Sequence, residues 1–213
     1  SKTIQPFEEA KQEEYIRKRL QTVDDGSDIT KTVMKTINPY RCKDILGIPL
    51  LIFILTDLFL KGEPTFSNED GLSLYQLYEH FILANIRYHY THKRSYNSNN
   101  EFDVKEVKQV TANKIKNYER VALKFYFQRS TEYDEFLEEI KRDNDPIGII
   151  TRVTKENNPV FLHSSFSEYF AARFLKNTFL CHEEHFKNIL FLLKDGSSEF
   201  KRISEFLSDT CGK

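Results

Sequence analysis

The first candidate for a functional residue is His163, which follows the apolar run 160–162 and precedes a predicted helix. Free backbone N–H groups at a helix N-terminus, together with the helix dipole, favour an anion such as phosphate. An imidazole adds a hydrogen-bond donor, and a positive charge when it is protonated. His163 is therefore a candidate phosphate-binding residue. The alternative is a structural histidine that hydrogen-bonds a neighbouring carbonyl group.

Pro49 is the second candidate, because it opens a strongly apolar helix predicted over residues 49–61. A proline at the start of a buried helix leaves a rigid, exposed stretch of backbone. Such a flat apolar surface suits a purine base. The competing interpretation is an ordinary helix start, since proline is common at the first helical position.

Two other segments carry reactive or charged side chains. Residues 181–185 read Cys-His-Glu-Glu-His, but this order is not the H-E-x-x-H zinc motif, so we favour a solvated helix start and predict no metal. Residues 87–94 interleave basic and aromatic side chains, as single-strand binders do. Cations at a helix C-terminus also complement the helix dipole, and we favour that interpretation.

The sequence predicts no catalysis by this chain alone. It has no G-x-x-x-x-G-K-[ST] loop and no apolar strand ending in acidic residues that could hold magnesium. His163 stands beside Ser164 and Ser165, but adjacency does not make a catalytic triad, and no acid partner is identifiable.

Composition places the chain among ordinary globular proteins, with 39% hydrophobic and 30% charged residues. Seven glycines and six prolines among 213 residues are too few for an all-β protein rich in tight turns. The net charge of −1 gives no general attraction to nucleic acid or membrane. Three cysteines without paired spacing predict a reduced, cytoplasmic protein. The apolar run 45–60 is too short to span a bilayer, and Asp57 interrupts it, so no membrane contact is predicted.

Most of the predicted elements that position these residues are helices, because apolar side chains recur at helical spacing. Helices are predicted over residues 6–20, 28–37, 49–61, 72–92, 104–125, 133–140, 186–193 and 200–207. Ser73 with Gln76 and Ser165 with Glu168 have capping-box spacing, so each pair is predicted to open a helix. A single hairpin is predicted from residues 148–154 and 160–162.

These elements predict a mainly α protein, in which a small helical bundle is followed by a winged-helix domain with one β-hairpin. The domain limits that we expect are a helical domain over residues 1–94, a linker over 95–102, a winged helix over 103–180 and the start of a further helical module over 181–213. The helix before the hairpin is rich in glutamate and aspartate, so DNA binding through it is not expected.

Three segments resemble the regulatory half of NACHT-type STAND ATPases, and the chain is most similar to the insect-type members that continue into ankyrin repeats. Residues 46–51, Leu-Gly-Ile-Pro-Leu-Leu, resemble the glycine-x-proline turn of the family's first helical domain. Residues 77–82 resemble its leucine-tyrosine-x-x-phenylalanine helix. Residues 161–172 resemble the aromatic-x-histidine stretch of its winged helix, and they include the Glu168-Tyr169-Phe170 triplet at the family's spacing.

The resemblance implies a regulatory segment that clamps ADP or ATP bound mainly by a preceding P-loop ATPase domain in the same protein. It implies that Pro49 touches the nucleotide and that His163 contacts the β-phosphate of ADP. It further implies self-association after nucleotide exchange, in intracellular defence or stress sensing. Two alternatives remain: a stand-alone helical interaction scaffold without nucleotide, and an unrecognised enzyme or metal protein.

Overall fold

The structure is a computed structural model of the 213-residue chain. It describes residues 9–20, 31, 33, 49–62, 73–93, 100–127, 134–179 and 198–211. These belong to two compact units, Ser1–Ala84 and Asn85–Lys213, which are taken in turn. Most of the predicted helix 28–37, all of the predicted helix 186–193 and the segment 181–185 lie outside the described residues.

Among the described residues of the first unit, the helices α1 (Glu9–Leu20) and α2 (Pro49–Leu60) pack against each other. Nearly every position in α2 is apolar, so most of the helix is buried. Its core residues are Leu51, Ile52, Ile54, Leu55 and Leu58. The guanidinium carbon of Arg19 in α1 lies 4.4 Å from the centre of the Phe53 ring. A guanidinium nitrogen of the same residue lies 3.4 Å from the carboxylate of Asp57. Arg19 thus joins the two helices by a cation–π contact and an ion pair.

A third helix, α3 (Leu74–Tyr88), begins at a confirmed capping box. The backbone N–H of Ser73 donates to Gln76 Oε1 at 2.9 Å, and the N–H of Gln76 donates to Ser73 Oγ at 3.2 Å. The apolar face of this helix is buried at Leu74, Leu77, Tyr78, Phe81, Ile82 and Ile86. The boundary between the two units falls within α3, between Ala84 and Asn85.

The end of α3 differs from the prediction of one helix to residue 92. From His89 to Lys93 the backbone widens into a π-helical turn. Here the hydroxyl of Thr91 donates to the carbonyl of Arg87 at 3.0 Å. Thr56 makes the same bond to the carbonyl of Ile52 at 2.8 Å within the regular helix α2, so this bond alone does not cause the wider turn.

The second unit contains α4 (Glu101–Phe127), α5 (Asp134–Asp143), β1 (Ile150–Val153), β2 (Pro159–Phe161), α6 (Ser164–Phe179) and α7 (Ser198–Cys211). Helix α6 is central, because both α4 and α7 pack on it. The predicted order of helix, helix, hairpin and helix is confirmed, and so is the mainly α class. The domain limits given above stay a prediction. None of the described helices has the length and apolar character that crossing a membrane requires.

The hairpin is antiparallel and pairs Ile150 with Phe161 and Arg152 with Val160, with an irregularity between the two pairs. Its start is fixed by the buried carboxylate of Asp145, which follows α5. That carboxylate accepts hydrogen bonds from the backbone N–H groups of Ile149 at 2.7 Å and Ile150 at 2.8 Å. It also accepts a hydrogen bond from the hydroxyl of Tyr118 in α4. One side chain therefore ties α4 to the hairpin.

Aromatic rings fill the centre of the second unit. The ring of Tyr118 stacks on Phe170 with centroids 5.0 Å apart and meets Phe136 edge-on at 5.4 Å. Burial raises the pKa of the Tyr118 hydroxyl, and the neighbouring Asp145 carboxylate raises it further. Phe125, near the end of α4, is 53% exposed, and its ring lies edge-on to the half-buried Phe161 at 6.5 Å.

Candidate functional site

His163 is the last residue before α6, at the point where the hairpin ends. Its side chain is half-buried, and its carbonyl accepts a hydrogen bond from the N–H of Phe166 at 3.1 Å. Its Nδ1 accepts a hydrogen bond from the backbone N–H of Ser165 at 3.2 Å and lies 2.7 Å from the Ser165 hydroxyl oxygen. The imidazole therefore serves as the N-cap of α6, a role more often taken by serine, threonine, aspartate or asparagine.

These hydrogen bonds determine the tautomer of the His163 ring. A backbone N–H can only donate, so Nδ1 carries no proton, and the Ser165 hydroxyl must donate to it as well. The neutral ring then carries its proton on Nε2, which is available as a donor. His163 can thus offer an N–H donor at the positive end of a helix without being charged.

Arg202 of α7 adds a positive charge beside this site. Burial lowers the pKa of His163, and the nearby Arg202 guanidinium lowers it further. Arg202 Nε also lies 3.6 Å from Oε2 of Glu168, an ion pair too long to be a hydrogen bond. Burial raises the pKa of Glu168, while Arg202 acts in the opposite direction. The α6 N-terminus therefore has a neutral histidine donor, which suits an anion, with the Arg202 cation and the Glu168 carboxylate nearby.

The capping box predicted from Ser165 and Glu168 is wrong. Ser165 lies inside the first turn of α6, where its N–H bonds to the ring of His163. The carboxylate of Glu168 turns instead towards Arg202. Sequence spacing shows which residues can form a capping box. It does not show that Arg202, on the packed helix α7, attracts the carboxylate of Glu168.

The contribution of His163 to the stability of the second unit is expected to fall as the pH falls from about 6.5, the pKa of histidine in an unfolded chain. The folded state lowers the pKa of His163, so it holds the neutral ring. Its stabilising contribution is present above the unfolded pKa and is lost as the pH falls through the folded pKa. Asparagine can cap the helix but does not titrate. Between pH 7 and about pH 5, the free energy of unfolding of the unchanged chain should therefore fall relative to that of His163→Asn. Urea unfolding of both proteins across this range measures the difference, and identical pH slopes would contradict the tautomer assignment.

Pro49 lies in the first unit, as the first residue of α2, and it is exposed. The predicted helix start and the predicted exposed proline are both found. His163 lies in the second unit. Binding of a nucleotide at either residue stays a prediction.

The remaining candidate segments give no further site in the described residues. At the end of α3, the ring of Tyr88 stacks on His92 with centroids 4.1 Å apart, and Tyr90 is buried. These aromatic rings contact neighbours instead of forming an open row for nucleic-acid bases. No group of three histidine, cysteine or acidic side chains that could hold a metal ion occurs among the described residues.

Comparisons with family models, with characterised proteins and with solved structures give no match to this chain. Its function must therefore be argued from its own residues.

Two features of the second unit were not found from the sequence. Arg202 lies 39 positions after His163, and only the packing of α7 on α6 brings them close. The second feature is a partly buried ion pair between Glu119 in α4 and Arg173 in α6, at 2.6 Å. Both members lie at ordinary helical positions, and no local motif marks them.

Proposed function

We propose that this chain is the regulatory segment of a nucleotide-switched signalling ATPase of the cytoplasm, similar to the NACHT-type family. A preceding P-loop domain of the same protein holds ADP or ATP and its magnesium ion, and this chain closes over the nucleotide. The chain itself hydrolyses nothing. Exchange of ADP for ATP releases the closed state and allows self-association.

The observation that carries this proposal is the position of His163 at the N-terminus of α6, with its Nδ1 against Ser165. Its Nδ1 accepts from the Ser165 backbone, so its Nε2–H is a donor beside Arg202 at the N-terminus of α6. A phosphate oxygen is the acceptor that such a donor and a nearby cation favour. Pro49, exposed at the start of α2, supports the same proposal as a rigid surface for the base.

The closed state must bind ADP more tightly than the open state, because only a difference in affinity can shift the population. A hydrogen bond from His163 to a charged phosphate that exists only in the closed state supplies such a difference. One such bond contributes roughly 1.5–3 kcal/mol. This is enough to shift the ratio of closed to open molecules by about ten- to a hundredfold.

Replacement of His163 by asparagine should accelerate ADP release by about ten- to a hundredfold in the protein that contains this chain together with its P-loop domain. Asparagine retains an oxygen that can cap α6, but it lacks the Nε2–H donor at the position of the ring. Release of a fluorescent ADP analogue under excess unlabelled ADP measures the rate.

The control for this variant is the 213-residue chain alone. His163→Asn should change its free energy of unfolding by less than about 0.5 kcal/mol, whereas His163→Ala should lose about 0.5–2 kcal/mol with the cap. An unchanged ADP release rate in the asparagine variant removes His163 from the nucleotide site. The ring of His163 would then serve only to cap α6.

A second candidate function is a helical interaction scaffold without nucleotide. Large apolar side chains exposed on the second unit favour it, namely Phe102, Phe125 and Leu162. Phe125 lies beside Phe161, the residue before Leu162, whereas Phe102 lies about 35 Å away along α4. Neighbouring exposed apolar side chains are typical of contact surfaces between proteins. The scaffold requires neither Pro49 nor His163, so the ADP release experiment separates the two functions.

A further inference from the structure

Helix α7 packs along α6 and brings a cation to the N-terminal end of that helix. The ring of Phe206 meets Tyr169 edge-on, with centroids 5.8 Å apart, and both Ile203 and Phe206 are fully buried. These apolar contacts hold α7 in place. The position of Arg202 beside the first turns of α6 therefore does not depend on its own ion pair.

The charge of Arg202 acts on two groups at this end of α6. Its Nε lies 3.6 Å from Oε2 of Glu168. Burial lowers the pKa of His163, and the charge of Arg202 lowers that pKa further, so the guanidinium is close to this ring as well. Because 34% of the Arg202 side chain is exposed, its guanidinium can turn from one neighbour to the other without displacing α7.

The carboxylate of Glu168 is poorly satisfied. Its Oε2 is buried and makes no hydrogen bond to the part of the chain that the structure describes, and only 13% of the side chain is exposed. Burial raises the pKa of Glu168, Arg202 lowers it, and the neighbouring carboxylate of Glu205 raises it again. Among the described residues, Arg202 is therefore the cation that offsets the cost of this buried charge.

We propose that Glu168 and a phosphate group compete for Arg202. Arg202 pairs loosely with Glu168, and a phosphate that accepts from the Nε2–H of His163 draws the guanidinium away. A guanidinium can bind phosphate through two parallel hydrogen bonds, whereas the contact with Glu168 at 3.6 Å is too long to be a hydrogen bond. This inference rests on the proposed function, because it concerns the same phosphate.

The competition couples the phosphate to the packing of α7. When Arg202 turns to the phosphate, Glu168 stays buried without its cation, so the loss of the ion pair opposes phosphate binding. A change that pulls α7 away from α6 removes Arg202 from both partners and weakens the phosphate contact. By linkage, the phosphate in turn favours the packed position of α7. The helix α7 thereby regulates the nucleotide site.

Pyrophosphate tests the competition on the whole 213-residue chain, because it has the phosphate groups of ADP without the base or the sugar. Nuclear magnetic resonance follows the ring of His163 during a titration at constant ionic strength, since added salt screens charges. Glu168→Gln removes the competing charge and keeps the size of the side chain. It should lower the pyrophosphate concentration at half-saturation about two- to fivefold. An unchanged or higher concentration would overturn the proposal.

Two further variants separate competition from general repulsion. Glu205→Gln removes an exposed carboxylate of the same cluster, one turn after Arg202 on α7, and its effect should stay below about 1.5-fold. An effect equal to that of Glu168→Gln would overturn the competition. Arg202→Gln should weaken pyrophosphate binding about three- to fivefold and should remove most of the gain from Glu168→Gln, and a full gain in that background would also overturn it. If Glu168→Gln does not fold, Arg202→Gln decides: weaker binding supports the competition, and unchanged binding overturns it.

The release of ADP by His163→Asn tests the proposed function separately. A faster release together with no effect of Glu168→Gln on pyrophosphate binding overturns the competition alone. An unchanged release together with tighter pyrophosphate binding by Glu168→Gln keeps the competition and removes the nucleotide role.

Discussion

Replacement of Asp145 by alanine is expected to destabilise the second unit by about 3–5 kcal/mol. The change leaves the buried N–H groups of Ile149 and Ile150, and the hydroxyl of the buried Tyr118, without their acceptor. Each unsatisfied buried donor costs about 1–3 kcal/mol. Urea unfolding followed by circular dichroism should show a lower midpoint.

Asp145→Asn is the matched control, because it removes the charge but keeps a similar shape. Its oxygen can accept from the backbone of residues 149 and 150, and its amide can donate to the Tyr118 oxygen, which can also accept. Its loss of stability should therefore lie clearly between zero and that of the alanine variant. A loss below about 1 kcal/mol for Asp145→Ala would mean that Asp145 does not hold the hairpin to α4.

Truncation of Leu55 to alanine should destabilise the first unit by about 2–5 kcal/mol. Leu55 is 1% exposed in α2, and the cavity left by its side chain cannot fill completely. Thermal or urea unfolding measures the change. Leu60 provides the comparison on the same helix, since it is 36% exposed and its truncation should cost less than about 0.5 kcal/mol. Similar losses for both leucines would mean that α2 is not the central helix of this unit.

Local patterns predicted those parts of the fold that depend on neighbours in sequence. The reciprocal bonds of Ser73 and Gln76 need only residues three positions apart, and the structure has both. The same holds for the buried face of α3, where periodicity separates inside from outside, and for α2, which is buried because nearly every position in it is apolar. The hairpin follows from β-branched residues on either side of a polar turn.

Tertiary contacts account for what the sequence did not predict. Phe125 has the spacing of a core residue but lies near the end of α4, where its ring reaches only the half-buried Phe161. His163 was predicted as a candidate donor at a helix start, but its tautomer depends on Ser165, and the charge beside it comes from Arg202. Asp145 was not singled out, because its partner Tyr118 lies 27 positions earlier. The two residues of such a pair lie too far apart in sequence for a local pattern to include both.

The contact between α4 and α6 combines two different interactions, made by adjacent residues of α4 and by residues about one turn apart on α6. Tyr118 stacks on Phe170, and Glu119 pairs with Arg173. Sliding α6 by one turn, roughly 5.4 Å, would set the Arg173 guanidinium opposite Ile115 or Leu123 and leave the Glu119 carboxylate buried without its cation. The two helices are therefore locked against shear, and α4 and α6 should move as one rigid body. Any large motion within this unit must then pass through a hinge at other elements.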